Sequence, residues 1–129
     1  MAIRIVQLGT PRHPDEGLRI GTVRRPPRGV PKAAFASGDW YDVWYPNLAP
    51  SVEVTKLGQE AATPAQWTGF SRKYHAEMAT PENSRTLDVL AALSHQSNFA
   101  VGCYCVNEAR CHRSLLRGLL AERGAAIAD

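Results

Sequence analysis

The chain has 129 residues, of which 44% are apolar and 21% charged, with a formal net charge of +3. That is enough chain for one domain with a buried core, and the proportions exclude disordered and collagen-like classes. No apolar run approaches the roughly 20 residues of a membrane helix, and the stretch Met1 to Leu8 lacks the apolar core of a secretory leader. The expected location is cytoplasmic, with no membrane partner.

Residues 3–8 (IRIVQL) are β-branched and alternate, which predicts a first strand, followed by a turn at Gly9-Thr10-Pro11-Arg12. Residues 17–24 also alternate and predict a short second strand with Leu18, Ile20 and Val23 facing inward. The next segment, Arg25-Pro26-Pro27-Arg28-Gly29-Val30-Pro31, holds three prolines and reads as an exposed loop. Arg19, Arg24, Arg25, Arg28 and Lys32 fall within fourteen residues here, a cluster suited either to a phosphate-bearing ligand or to a solvated surface.

Trp40, Tyr41, Trp44 and Tyr45 make residues 39–50 strongly aromatic, and the alternation predicts an extended segment ended by Pro46. Core packing and a stacking platform for nucleic-acid bases are both readings of that set. Pro50-Ser51 opens a short helical segment toward Leu57. Thr63-Pro64-Ala65-Gln66 carries an N-cap, a first-position proline and a capping-box glutamine, so a helix starts there. Trp67, Phe70, Tyr74 and Met78 form its core stripe, opposite Arg72, Lys73, His75 and Glu77. Thr80-Pro81-Glu82 predicts a second start of the same kind, with Leu87, Leu90, Ala91 and Leu93 inward and an end near 94–98.

The stretch 101–120, VGCYCVNEARCHRSLLRGLL, contains all three cysteines. The apolar run from Phe99 predicts a buried strand to Cys105, beside the first strand. A final helix is expected from Glu108 to Arg123, with Asn107 as its N-cap and Gly124 as its stop. The whole pattern predicts an α/β fold: a single compact domain spanning 1–129, with a small, partly parallel sheet flanked by helices.

Strand-to-helix turns in such folds collect ligands and catalytic groups. A helix start favours anions and depresses a nearby thiol pKa, which points to Cys105 and Cys111 as reactive thiols. Adjacent His112 fits a proton shuttle, and Arg113 fits an anion-holding role. Arg12, Arg24, Arg28, Asn107, Arg110 and Ser114 are the further candidates for ligand binding. The run Cys105 to Arg110 is laid out like the loops of rhodaneses and thiol phosphatases, but it lacks a glycine and is one residue shorter than the phosphatase spacing. A zinc site of Cys103, Cys105 and Cys111 is a second reading. His112 offers an imidazole beside these three thiolates, but neighbours on one helix diverge by about 100°, which makes it awkward for Cys111 and His112 to share one ion. Burial as small hydrophobes is the third fate open to these cysteines.

The chain also resembles a known bacterial family, the domain of unknown function numbered 488, and its YeaO-like branch. The resemblance rests on Cys103-Tyr-Cys-Val-Asn-Glu-Ala-Arg-Cys111-His112-Arg113-Ser114-Leu115-Leu116, on Arg24-Arg25-Pro-Pro-Arg28-Gly29-Val30, on Trp44 to Ser51, and on Trp67-x2-Phe70-x3-Tyr74. Many relatives carry glutamate two residues after the first cysteine, where this chain has Cys105. The resemblance implies a compact α/β domain with an enzyme-like site at the cysteines, and it brings no established reaction or cofactor. The leading functional expectation is a thiol-dependent hydrolase or transferase that binds a phosphorylated or otherwise anionic small molecule. A nucleic-acid-binding module using loop 24–32 and segment 40–45 is the alternative, alongside the small zinc protein. No motif specifies a cofactor or an oligomeric state.

Overall fold

Residues 1–128 are described by a computed structural model of the chain. Five strands, β1 (Ile3–Gln7), β2 (Leu18–Gly21), β3 (Val43–Trp44), β4 (Phe99–Cys103) and β5 (Ile127–Ala128), form one sheet in the order β3-β2-β4-β1-β5. Every pairing is parallel, so the expected partly parallel sheet is parallel throughout the described residues. Four helices connect the strands: α1 (Val52–Glu60), α2 (Pro64–Met78), α3 (Pro81–Leu93) and α4 (His112–Glu122).

The central strand is β4, paired with β1 from Ile3↔Phe99 to Gln7↔Cys103 and with β2 from Leu18↔Phe99 to Gly21↔Gly102. All five of its residues are buried, the continuous apolar run expected of a strand covered on both faces. Phe99 and Val101 join Ile3, Ile5, Leu48, Phe70, Tyr74, Met78, Leu87, Leu116 and Leu120 in the core between sheet and helices. Ala100 and Gly102 face the other way, where bulk is excluded. A Cβ on Gly102 would stand 2.6 Å from the Val6 carbonyl oxygen and 2.9 Å from the Leu8 side chain.

That other face is covered by the connections around residues 9–17 and 30–42, and a buried ion pair holds them. Arg19 is fully buried, and its Nε and Nη2 donate to the Glu16 carboxylate at 2.6 and 2.8 Å. Its Nη1 donates to the carbonyls of Thr10 and Asp39, one on each connection. Arg12 adds bonds to Asp39 and Asp42, and Asp42 also accepts the Arg19 backbone N–H.

Several sequence expectations change in detail. Leu18 is 48% exposed while Arg19 is buried, because Glu16 and two carbonyls satisfy the guanidinium beneath the loops. Leu93 is also exposed, since α3 turns its last residue away from the sheet. The second strand stops at Gly21, and the aromatic segment contributes only Val43–Trp44 to the sheet. Thr63 forms the full capping box with Gln66, as expected. The Thr80 hydroxyl instead donates back to the Glu77 carbonyl and leaves the α3 N-terminus without a side-chain cap.

Replacing one member of a buried, hydrogen-bonded ion pair strands its partner. Arg19→Met should therefore cost about 3–5 kcal/mol of unfolding free energy at neutral pH, read by urea denaturation. Burial alone raises the Glu16 pKa, but its bonds from Arg19 outweigh that and hold the carboxyl below its ordinary 4.5. The pair's stabilisation is then complete above 4.5 and fades as pH falls through the lower folded value. The gap between wild type and Arg19→Met should accordingly narrow in acid. A constant gap would sever Glu16 from the effect.

Candidate active site

In a parallel sheet every strand ends on the same side, so the residues after β1, β2 and β4 meet at one rim. Pairing continues slightly past the strands: Leu8 N–H donates to the Cys103 carbonyl, and Thr22 N–H and hydroxyl both donate to the Gly102 carbonyl. At this rim lies a cleft of about 1340 Å³ with Cys103, Cys105, Cys111 and His112 in its lining.

The strand ends at Cys103, not Cys105, and the chain turns through Tyr104 into a short 3-10 turn, Glu108–Arg110. Asn107 caps that turn, its Oδ1 accepting from Ala109 N–H, and does not cap the last helix. The N-cap of α4 is Cys111. The Glu108 carboxylate accepts two bonds from Arg117 on α4, at 2.6 and 3.0 Å, and so fastens the turn to the helix.

The N-cap position changes the local geometry of the cysteine and histidine. Cys111 has extended backbone angles (φ −132°, ψ 153°), so the helical divergence of 100° expected between Cys111 and His112 does not apply. His112 Nδ1 faces Cys111 Sγ at 3.6 Å. Its Nε2 lies 2.7 Å from the Thr22 carbonyl, which can only accept, so Nε2 carries the hydrogen and Nδ1 carries the lone pair. The sulfur atoms of Cys103 and Cys111 and the His112 ring nitrogen all lie within 4.8 Å of one another. Burial lowers the His112 pKa to about 4 and keeps the ring neutral near pH 7.

The three thiols differ in exposure and in their electrostatic surroundings. Cys103 and Cys111 are buried at 2% and 3% exposure, whereas Cys105 is exposed. Hydrogen bonds from Cys103 and then Cys111, with the nearby charge of Arg113, hold the Cys105 thiol far below the usual thiol range. Cys103 is pushed upward by donating to Cys105 and Cys111 and by burial. Cys111 accepts from Cys103, which lowers its pKa, but donation to Cys105 and burial win and carry it to about 11. Arg113 is buried beside the cluster with Nη2 donating to the Cys105 carbonyl, while its Nε has no partner among the described residues.

The walls of the cleft are cationic. Arg24, Arg25, Arg28, Lys56 and Arg110 line it, against one acidic residue, Glu60. Arg24 spends its guanidinium on the carbonyls of Pro50, Pro46 and Ala49. Arg25 and Arg28 are exposed and no carboxylate of the described residues pairs with them. Arg110 lies 5.6 Å above the Trp67 ring. Arg12 is outside the cleft, tied to Asp39 and Asp42, and the Ser114 hydroxyl donates to the Cys111 carbonyl within α4.

Sequence reasoning did not single out four of the residues that build this place. Tyr104 donates its hydroxyl to the Arg25 carbonyl and so anchors the basic loop over the cysteines. Its position between Cys103 and Cys105 was the available signal. Phe70, assigned to the core, and Trp67 both line the cleft, and nothing in the helical stripe separates the two uses. The Thr22 carbonyl carries no sequence signal at all. The aromatic segment divides: Tyr41 is buried, Trp40 packs edge-on against Tyr104, and Trp44 is 43% exposed with its Nε1 donating to the Val23 carbonyl.

The fold and this rim define an α/β protein of parallel sheet with a cysteine–histidine cluster at the strand ends. A family model described as the active DUF488-N3 subclade, DUF488-N3a, matches residues 3–124, and the chain belongs to this DUF488 family. The YeaO-like branch named from the sequence is compatible with that match. No curated protein and no solved structure matches the chain. No helix of the described residues is long and apolar enough to cross a membrane.

Exposure separates Cys105 from its two neighbours. Reduced, chelator-treated protein should therefore show one rapidly alkylated thiol of the three, mapped to Cys105 by peptide mass analysis, with Cys103 and Cys111 reacting only on unfolding. Rapid reaction at Cys111 in the folded state would overturn this arrangement.

Proposed function

We propose that the cleft binds a phosphorylated or otherwise anionic small molecule and presents it to the Cys105 thiol, in an enzyme-like site of hydrolase or transferase type. The observation that carries this reading is a juxtaposition. The exposed thiol of the cluster opens into a cleft whose side chains include Arg25, Arg28 and Arg110, cations with no carboxylate partner among the described residues. Guanidinium groups bind oxyanions through paired, charge-assisted hydrogen bonds, which suits phosphate and carboxylate alike.

In this reading Arg28 and Arg110 hold the anion, and Tyr104 positions the basic loop through its bond to the Arg25 carbonyl. Cys105 is the group that meets the ligand. Cys111 and His112 shape the thiol's surroundings, and Arg113 supplies buried positive charge behind it. The description of the matched subclade as active agrees with a working site at the cysteines.

Anion binding should shield Cys105 from alkylation. Inorganic phosphate, pyrophosphate and sulfate titrated against the alkylation rate of metal-free protein should slow it in a saturable manner. Arg28→Ala and Arg110→Ala should each raise the half-protecting concentration about tenfold, equivalent to about 1.4 kcal/mol of binding. Both positions are exposed, so the folded state should survive the change. Equal protection of wild type and both variants, or no protection by any anion, would remove the proposal.

A further inference from the structure

We infer that Cys103, Cys111 and the Nδ1 of His112 form a binding site for a soft divalent cation of the zinc type, with the fourth position open on the cleft side, where Cys105 is exposed. Three geometric observations carry it.

First, the spacing suits the ion. Zinc holds thiolate sulfur at about 2.3 Å and imidazole nitrogen at about 2.0 Å, which puts sulfur and nitrogen about 3.5 Å apart across a tetrahedral edge. Cys111 Sγ and His112 Nδ1 stand 3.6 Å apart, and the Cys103 sulfur lies within 4.8 Å of both. A contraction of about 1 Å at most would bring the three atoms onto one ion.

Second, the imidazole is already oriented as a ligand. Metal-bound histidines commonly donate their second ring N–H to a carbonyl or carboxylate, which fixes the tautomer and the ring plane. Here Nε2–H donates to the Thr22 carbonyl at 2.7 Å, leaving the Nδ1 lone pair toward the sulfurs. Third, the neighbourhood can balance the charge. Two thiolates neutralise a divalent ion, an anionic fourth ligand from the cleft would leave one negative charge, and the buried Arg113, whose Nε has no partner among the described residues, lies beside the cluster to balance it.

This site is not the one expected from cysteine spacing alone. His112 enters and Cys105 moves to the outer position, because Cys111 caps the helix and is not inside it. The inference rests in part on the reading of Cys105 as the ligand-facing thiol and deepens it. On metal uptake the protons of the binding thiols leave to solvent as the sulfur–metal bonds form, and no electrons are transferred. Cys105 remains exposed on the cleft side of the site.

The test is stoichiometric cobalt and zinc titration of reduced, metal-stripped, full-length protein, with folding checked by circular dichroism. The expected result is one ion per chain, with the visible absorption of tetrahedral thiolate-bound cobalt, displaced by zinc. Cys111→Ser and His112→Gln should each lose stoichiometric uptake, and Cys105→Ser should keep the ion. Arg113→Met should weaken uptake roughly 10–100-fold, as loss of an outer partner does. Folded wild type that takes up neither ion, or His112→Gln that binds as tightly as wild type, overturns the inference. Phosphate protection of Cys105 in metal-free protein is measured separately, so failure here leaves the anion reading to its own test.

Discussion

The constraint on which the rest depends is the central position of β4, hydrogen-bonded to β1 on one edge and β2 on the other and buried along its whole length. A strand so enclosed has room for bulk only toward the helices. Phe99 and Val101 fill that side, while Ala100 and Gly102 let the loop layer close on the other. The alternation that puts Phe99 and Val101 against the helices puts Cys103 there too, at the last position before the rim. The first sulfur of the cluster is thus placed by the same periodicity that builds the core.

The remaining parts arrive at that sulfur from separate elements. The helix α4 begins late, and its capping residue is itself a cysteine, so the sulfur and the first imidazole of the helix converge. The end of β2 supplies the carbonyl that holds the imidazole, at a residue far away in sequence. The loop after β2 carries the arginines, and Tyr104 ties it back to the strand that delivers the cysteines. Cluster and cationic wall are therefore mechanically linked, and a shift in either would be felt by the other.

Buried charge recurs as a device across the molecule. Arg19 under its loops is matched by Glu16 and two carbonyls, so its role is structural and complete. Arg113 is the contrasting case, buried at 4% exposure with one donor satisfied and its Nε without a partner among the described residues, beside the thiols. A guanidinium desolvated to that degree is costly without negative charge nearby. A thiolate, a bound anion or a metal–thiolate centre each supplies that charge, and so the site's chemistry and the tolerance of Arg113 are one problem.

By itself the sequence determined the fold class, the order of the first four strands and the four helices (though not the short edge strand Ile127–Ala128), the capping box at Thr63 and the location of the cysteine-rich rim. These follow from local periodicity and capping, which the chain carries residue by residue. It also marked the arginines of loop 24–32 as candidates, without separating Arg24, absorbed by three carbonyls, from Arg28, which has no carboxylate partner among the described residues. Tertiary structure decided that Arg19 is buried in place of Leu18, that Arg12 serves Asp39 and Asp42, and that His112 joins the sulfurs with Thr22 behind it. Each of those outcomes turns on a partner distant in sequence and on the exact residue where a helix begins. Neither quantity is encoded in local periodicity, and both are set only when the strands have paired and the loops have closed.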